Sequence, residues 1–243
     1  MNSENGVTTF RIIANEDATL NTKMQGMLRR IPDAFLTPRI LVCEGITEVG
    51  FVRSLDEKLQ ENEKFYMASR CVSYADGKGG AEALSVAERF HDLGFDVAVL
   101  VDNDRPEDET KKRSLILKGI PVFSWGKGQC LETALLPLFS VEALCELLQW
   151  ESEKKDATWD EIIEQGYASQ KYLLNENLQE TDLMEIAKIS SEKGFFKRVA
   201  GGEELGKMFF SRIINLSQDS KAVKVVDSII NWINYGEKKG LSK

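Results

Sequence analysis

The sequence predicts an α/β fold built on a four-stranded, mainly parallel sheet covered on both faces. Three observations carry this. Short apolar runs recur at Arg39–Cys43 (RILVC), Arg70–Tyr74, Asp96–Val101 (DVAVLV) and Ile120–Trp125. Between successive runs lie stretches with helical spacing. The strongest runs are almost wholly apolar rather than alternating, as strands buried on both faces are. Strand–helix repetition of this kind closes by crossover connections into a parallel sheet. In such sheets the working residues lie just past the carboxyl ends of the strands.

Each element follows from local chemistry. Val7–Ala14 (VTTFRIIA) reads as a short strand, and the segment after it, to Ala34, as polar and then helical. Arg39–Cys43 is the first strong strand. Val49, Val52, Leu55 and Leu59 stand at helical spacing and predict a helix over Thr47–Glu61. The glycines of GKGG, Gly77–Gly80, open a second helix, Ala81–Leu93. A charged loop and a helix separate the strand Asp96–Val101 from the strand Ile120–Trp125. From Ser140 onward the pattern is helical, with Lys154–Asp160 (KKDATWD) as a boundary. Residues 1–32 then lead in, 33–150 form the α/β core, and 151–243 form a carboxyl-terminal helical subdomain.

Composition narrows the chemistry. The chain has 243 residues, 42% of them hydrophobic and 29% charged, as in an ordinary globular protein. No apolar run approaches the ~20 residues of a membrane span. The amino terminus lacks the features of a signal peptide, so a cytoplasmic protein is expected. The four cysteines (Cys43, Cys71, Cys130 and Cys145) include no C-x-x-C pair, which argues against a zinc cage. Cys43 and Cys145 sit in apolar runs and read as buried free thiols. The single histidine, His91, excludes His-pair chemistry and reads as a structural residue at a helix end. A net charge of −8 argues against tight autonomous DNA binding, which normally relies on cations replacing counterions.

Two strand ends carry acids. In LVCEGITE, Glu44 stands where the first strand stops, Gly45 permits a turn, and Glu48 falls one helical turn on. In VLVDNDRP, Asp102 ends the third strand, and Asp104 lies two residues further, on the same side if the chain stays extended. Either pair alone reads equally as a solvated loop or a helix cap. Together they would bring carboxylates to adjacent strand ends, where their repulsion invites hard divalent cations such as Mg²⁺ or Mn²⁺. Two such ions stabilise the attacking and leaving oxygens of a phosphodiester.

E-G-x-T-E after one apolar strand, with D-x-D after another, resembles the Toprim signature. Type II and IA topoisomerases, bacterial primases, recombination mediators and OLD-family (overcoming lysogenisation defect) nucleases share that signature. IPDAFLTPRILVCEGITEVGFV is similar to the start of the OLD carboxyl-terminal nuclease region, and the likeness covers about Met24–Leu136. It implies a Toprim core and a metal-dependent endonuclease of an ATP-dependent antiviral defence system. Glu44 would be a metal ligand or base, with Glu48, Asp102 and Asp104 as further ligands to two ions. Glu132, in GQCLETALL, matches a further acidic position of the family; its plain alternative is a helix-start carboxylate. A late lysine stabilising the transition state is matched by Lys197 in GFFKRVAGGEELG, with Arg198, Lys193 and Lys207 as rivals.

The partners expected are DNA and an ABC-type ATPase domain or subunit, with homo-oligomerisation through that ATPase and no membrane. The sequence has no G-x-x-x-x-G-K-[ST]; GGEELGK comes nearest but places Met208 where the hydroxyl is required. The ATPase is therefore expected to be cut away or on a separate chain. Strand passage or primer synthesis, and a non-catalytic Toprim scaffold, are the alternative readings. Three secondary features stay open. Asp76–Gly80 (DGKGG) is a phosphate nest or a turn and helix start, and Lys111–Arg113 an exposed loop or helix start, or a nucleic-acid contact. Trp150 and Trp159 read as core or interface residues.

Overall fold

The computed structural model describes residues 2–4, 7–9, 25–26, 29, 32–63, 65–154 and 180–240. The rest of the strand expected over Val7–Ala14, the boundary at 155–160 and Trp159 lie outside these residues. In chain order, β1 (Asn2–Glu4) and β2 (Val7–Thr9) pair as an antiparallel ribbon. Next come β3 (Arg39–Cys43), α1 (Ile46–Glu63), β4 (Val72–Asp76), α2 (Gly80–Asp92) and β5 (Asp96–Val101). After them stand α3 (Glu109–Leu117), β6 (Val122–Ser124) and the short α4 (Leu131–Leu135). Then follow α5 (Val141–Lys154), α6 (Glu180–Glu192), α7 (Val199–Arg212) and α8 (Lys221–Gly240).

The fold is α/β. Its main sheet has four strands in the order β4-β3-β5-β6, and every pairing is parallel. The expected alternation of strand and helix is therefore met. β3 and β5 keep the bounds read from the sequence, whereas β4 begins and ends two residues later. Past their first residues, Arg39 and Asp96, β3 and β5 are apolar because side chains on both of their faces are buried. Leu41, Cys43, Ala98 and Leu100 enter one core with α1 and the later helices. Ile40, Val42, Val97, Val99 and Val101 enter a second core with α2 and α3. The period of two along a strand produces this split.

The later helices are not a separate layer. Phe209, Val226 and Ile233 belong to the same apolar cluster as Leu41 and Leu100 of the sheet. At the amino end of β3, Arg39 donates to the carbonyl of Ile233 (2.7 Å) and to that of Trp232 in α8. It also pairs with Asp96 at 3.2 Å and stacks 4.4 Å from the Trp232 ring centre.

The contact between α1 and α7 sets the geometry of the site. A Cβ at Gly202 would stand 1.9 Å from the Thr47 carbonyl oxygen, and one at Gly50 would stand 2.0 Å from that of Val199. At Gly206 it would meet the Ser54 side chain at 2.7 Å. Backbone therefore lies directly on backbone, which only hydrogen side chains permit. The GGEELG run, which fails as a phosphate loop, works as a helix-packing seam. It draws the amino end of α7, and the residues just before it, against the amino end of α1.

Of the four cysteines, which are all free, Cys43 is buried as expected. Cys145 is only half-buried, because α5 presents it at the edge of its packed face rather than in the centre. His91 is half-buried in the last turn of α2, as its pattern predicts. Trp150 packs on the main core and is capped by the Arg198 guanidinium, 5.0 Å from the ring centre.

A candidate carboxylate and lysine centre

β3 and β5 are neighbours in register, Cys43 opposite Leu100, so the residues after them emerge side by side. The Glu44 amide continues the ladder to the Leu100 carbonyl at 2.8 Å. The Glu44 carboxylate is then fixed by two backbone donors. Oε1 accepts from Gly80 N–H at 3.0 Å, and Oε2 from Asp102 N–H at 2.8 Å. Gly80 is the first residue of α2, so Glu44 also neutralises that helix terminus. The DGKGG loop thus offers this amide to the chain's own glutamate rather than to phosphate. The Lys78 amide bonds Asp76 at 2.8 Å, and the Lys78 ammonium pairs with the same carboxylate.

Glu48 is 4% exposed in the first turn of α1, and its Oε2 accepts from Gly45 N–H at 2.9 Å. Asp102 accepts from Leu131 N–H, the first amide of α4, at 3.1 Å. Burial pushes the Glu48 carboxyl up to about 7; a backbone hydrogen bond opposes this, and the Glu132 charge adds to it. Burial first, then the charges of Glu48, Glu44 and Glu132, push Asp102 up to about 9. These shifts identify Glu44, Glu48, Asp102 and Glu132 as one interacting set.

Glu132 is wholly buried, and its partner is Lys197, with Nζ 2.9 Å from Oε1 and 3.1 Å from Oε2. Burial opposes the charge on Lys197, but the Glu132 carboxylate outweighs it and holds the ammonium well above the usual lysine range. The rivals differ in their partners. Lys193 and Lys207 are exposed, as Lys197 partly is, but among the described residues no ion pair joins either to these carboxylates. Arg198 grips the buried Glu151 with two bonds, of 2.9 and 2.7 Å. Glu151 also accepts the Phe196 amide at 3.2 Å, where Phe196 is held at φ 61. Residues 196–198 are thus clamped, and Lys197 is aimed by its neighbours.

Asp104 departs from expectation. It is exposed, and among the described residues no hydrogen bond or ion pair engages it. The reason is local. The chain bends at Asn103, whose amide donates to the Gln129 carbonyl at 2.8 Å and whose carbonyl accepts from Gly128 at 2.7 Å. The alternation that would align Asp104 with Asp102 requires an extended chain, and the bend ends it.

Sequence reasoning missed two supports. Lys112 is buried rather than exposed; its Nζ donates to the Asp102 carbonyl at 2.9 Å and to Asn103 Oδ1 at 3.0 Å, holding the acidic loop from beneath. The signal was its position three residues before the buried Leu115 on one helical face. The Glu151–Arg198 clamp spans 47 residues of sequence, and no local pattern announces it.

Among the described residues, no three Asp, Glu, His or Cys side chains are already closed into a ligand set for a metal ion. The donor chemistry nonetheless fits a hard cation. It consists of carboxylate oxygens, including a fully buried Glu132 Oε1 that has no hydrogen bond of its own.

A pH dependence follows for metal-free protein. Asp102 and Glu48 hold protons when folded that they release when unfolded, because their folded values exceed the ordinary carboxylate range. The folded state then binds more protons, so stability falls as pH rises. The window opens near the unfolded carboxylate value of about 4. It closes for Glu48 near about 7 and for Asp102 near about 9. Each group costs about 1.4 kcal/mol per pH unit inside its window. Denaturant melts in chelator between pH 5 and pH 9 should show this decline; a flat or rising profile would rule out the buried acid cluster.

No family model matches the chain, and neither the curated proteins nor the solved structures compared with it provide a match.

Proposed function

We propose that this chain is a metal-dependent endonuclease that hydrolyses DNA phosphodiesters, as the nuclease module of an OLD-like ATP-dependent antiviral system. One observation carries the reading: Glu44, Glu48, Asp102 and Glu132 interact at the carboxyl ends of adjacent parallel strands with Lys197 among them. The Toprim-like spacing of LVCEGITE and VLVDNDRP supports it. Four acids with one lysine form an expensive arrangement for a purely structural site. No helix among the described residues is long and apolar enough to cross a membrane.

Divalent cations, two Mg²⁺ or Mn²⁺ ions, would supply charge neutralisation and a nucleophilic water when bound. Glu48, Asp102 and Glu132 would hold them together with Glu44. Each Glu44 oxygen already accepts one N–H bond and keeps a further lone pair for a cation or a water proton. Asp104, on the exposed loop, stands at the rim and would join the ligands only if the loop moves. Lys197 would oppose the charge that develops on the phosphate. The ATPase partner, which would hold the DNA that a chain of net charge −8 binds weakly, is part of the same proposal.

Supercoiled plasmid incubated with the purified chain should be nicked in Mn²⁺ or Mg²⁺ and left intact in chelator. Cleavage that survives chelation would remove the metal from the reading. A protein that binds Mn²⁺ but never nicks, with or without an ATPase partner, would favour the non-catalytic scaffold.

A further inference from the structure

Lys197 occupies an unusual position for a residue expected to meet a phosphate. Its ammonium is spent on Glu132, within 3.1 Å of both carboxylate oxygens. Glu132 is 0% exposed, whereas the Lys197 side chain remains 41% exposed. The carboxylate is therefore fixed in the interior while the cation can still withdraw toward solvent. Glu132 Oε1, although 2.9 Å from the ammonium nitrogen, makes no hydrogen bond with it. Nζ does donate to Oε2, at 3.1 Å, so the contact is an ion pair with one hydrogen bond, made by a point charge on a flexible stem. The lysine backbone, by contrast, is clamped on its carboxyl side by Arg198 on Glu151, and the Phe196 amide is bonded to the same Glu151. Only the side chain is free to change partner.

We propose that the Lys197 ammonium is a resident counter-ion that fills the cation position on Glu132 until a divalent ion displaces it. Lys197 then becomes available to a phosphate only when the site is loaded. This rests on the reading that these carboxylates hold divalent cations. It adds an order to it: cation first, phosphate second. The exchange is one of partners alone, with no covalent bond made or broken. A buried carboxylate stripped of its cation must bear the cost of its charge or take up a proton, so exchanging one cation for another costs less than losing it.

The test is Mn²⁺ affinity, read by electron paramagnetic resonance or calorimetry on the full chain without DNA. Lys197→Met keeps the stem and removes the competitor, so Mn²⁺ should bind on the order of tenfold more tightly than to the parent. Melting of this variant without metal should fall, and the rise on adding Mn²⁺ should exceed that of the parent. Lys197→Arg, which grips Glu132 with two bonds, should bind Mn²⁺ more weakly. Unchanged or weaker binding in Lys197→Met would overturn the exchange, because a lysine that merely supports the site has no competing role. Should Lys197→Met fail to fold, acylation of the parent's lysines by an amine-reactive ester decides. Lys197 must label faster with Mn²⁺ than without; equal labelling refutes the proposal. A parent that takes up no Mn²⁺ at all is a separate result, and it would sink the metal-site reading itself.

Discussion

Asp102→Asn should abolish nicking while leaving the metal-free fold at least as stable as the parent at neutral pH. Activity should fall on the order of a hundredfold or more, because the amide can neither carry the charge nor bind a hard cation as a carboxylate does. Stability behaves oppositely for two reasons. The amide oxygen still accepts the Leu131 N–H, so the start of α4 keeps its partner. The Asp102 carboxyl is pushed up to about 9 by burial and by Glu48, Glu44 and Glu132, so near pH 7 the parent already carries a neutral group there. The variant should match the parent at pH 7, exceed it at pH 9, and lose much of the decline with pH. Glu44→Gln makes the contrast. Each Glu44 oxygen accepts a backbone N–H, and the amide can replace only one of these acceptors. One donor is left facing an NH₂ group, at a cost of about 1–3 kcal/mol. Melting of both variants across pH, beside their nicking rates, separates chemistry from support. Parental nicking by Asp102→Asn removes this site from the mechanism.

Arg198→Ala should be the most damaging change outside the carboxylates. Glu151 is wholly buried, and Arg198 gives it two charge-assisted bonds. Removing the arginine takes two charge-assisted bonds from an interior carboxylate that the Phe196 amide also contacts. Breaking a buried pair costs about 3–5 kcal/mol. The lower end applies, since the Arg198 side chain is 32% exposed and water can enter after it. The loop that aims Lys197 would loosen as well, so nicking should fall even at temperatures where the variant remains folded. Urea denaturation gives the first effect and single-turnover nicking the second. A loss under 1 kcal/mol would show that the clamp is not what fixes the loop. Arg198→Ala with Glu151→Leu should recover stability, because the second change removes the buried charge that Arg198 balanced.

The sequence by itself determined the parts of this protein that depend on local pattern. Arg39–Cys43 and Asp96–Val101 are strands because a run that is apolar after its first residue has to be buried on both faces, and the structure keeps their ends unchanged. Glu44 and Asp102 were legible for the same reason: the first charged residue after a buried strand must lie at its end. Glu48 followed from helical spacing. The tertiary structure decided what depends on groups distant in sequence. Asp104 falls away because Asn103 bonds to the Gly126–Gln129 turn, which no pattern within VLVDNDRP records. Lys197 reaches Glu132 across 65 residues because Gly50, Gly202 and Gly206 let α1 and α7 touch backbone to backbone. Gly202 and Gly206 read in sequence as part of a failed phosphate loop; their spacing has meaning only when the second helix is present. Lys112 read as part of an exposed loop or helix start and Arg198 as a rival to Lys197, and each proved to be held by a specific partner. Burial of a charge is set by whether an opposite charge or a carbonyl meets it in space, and the folded chain alone supplies that partner.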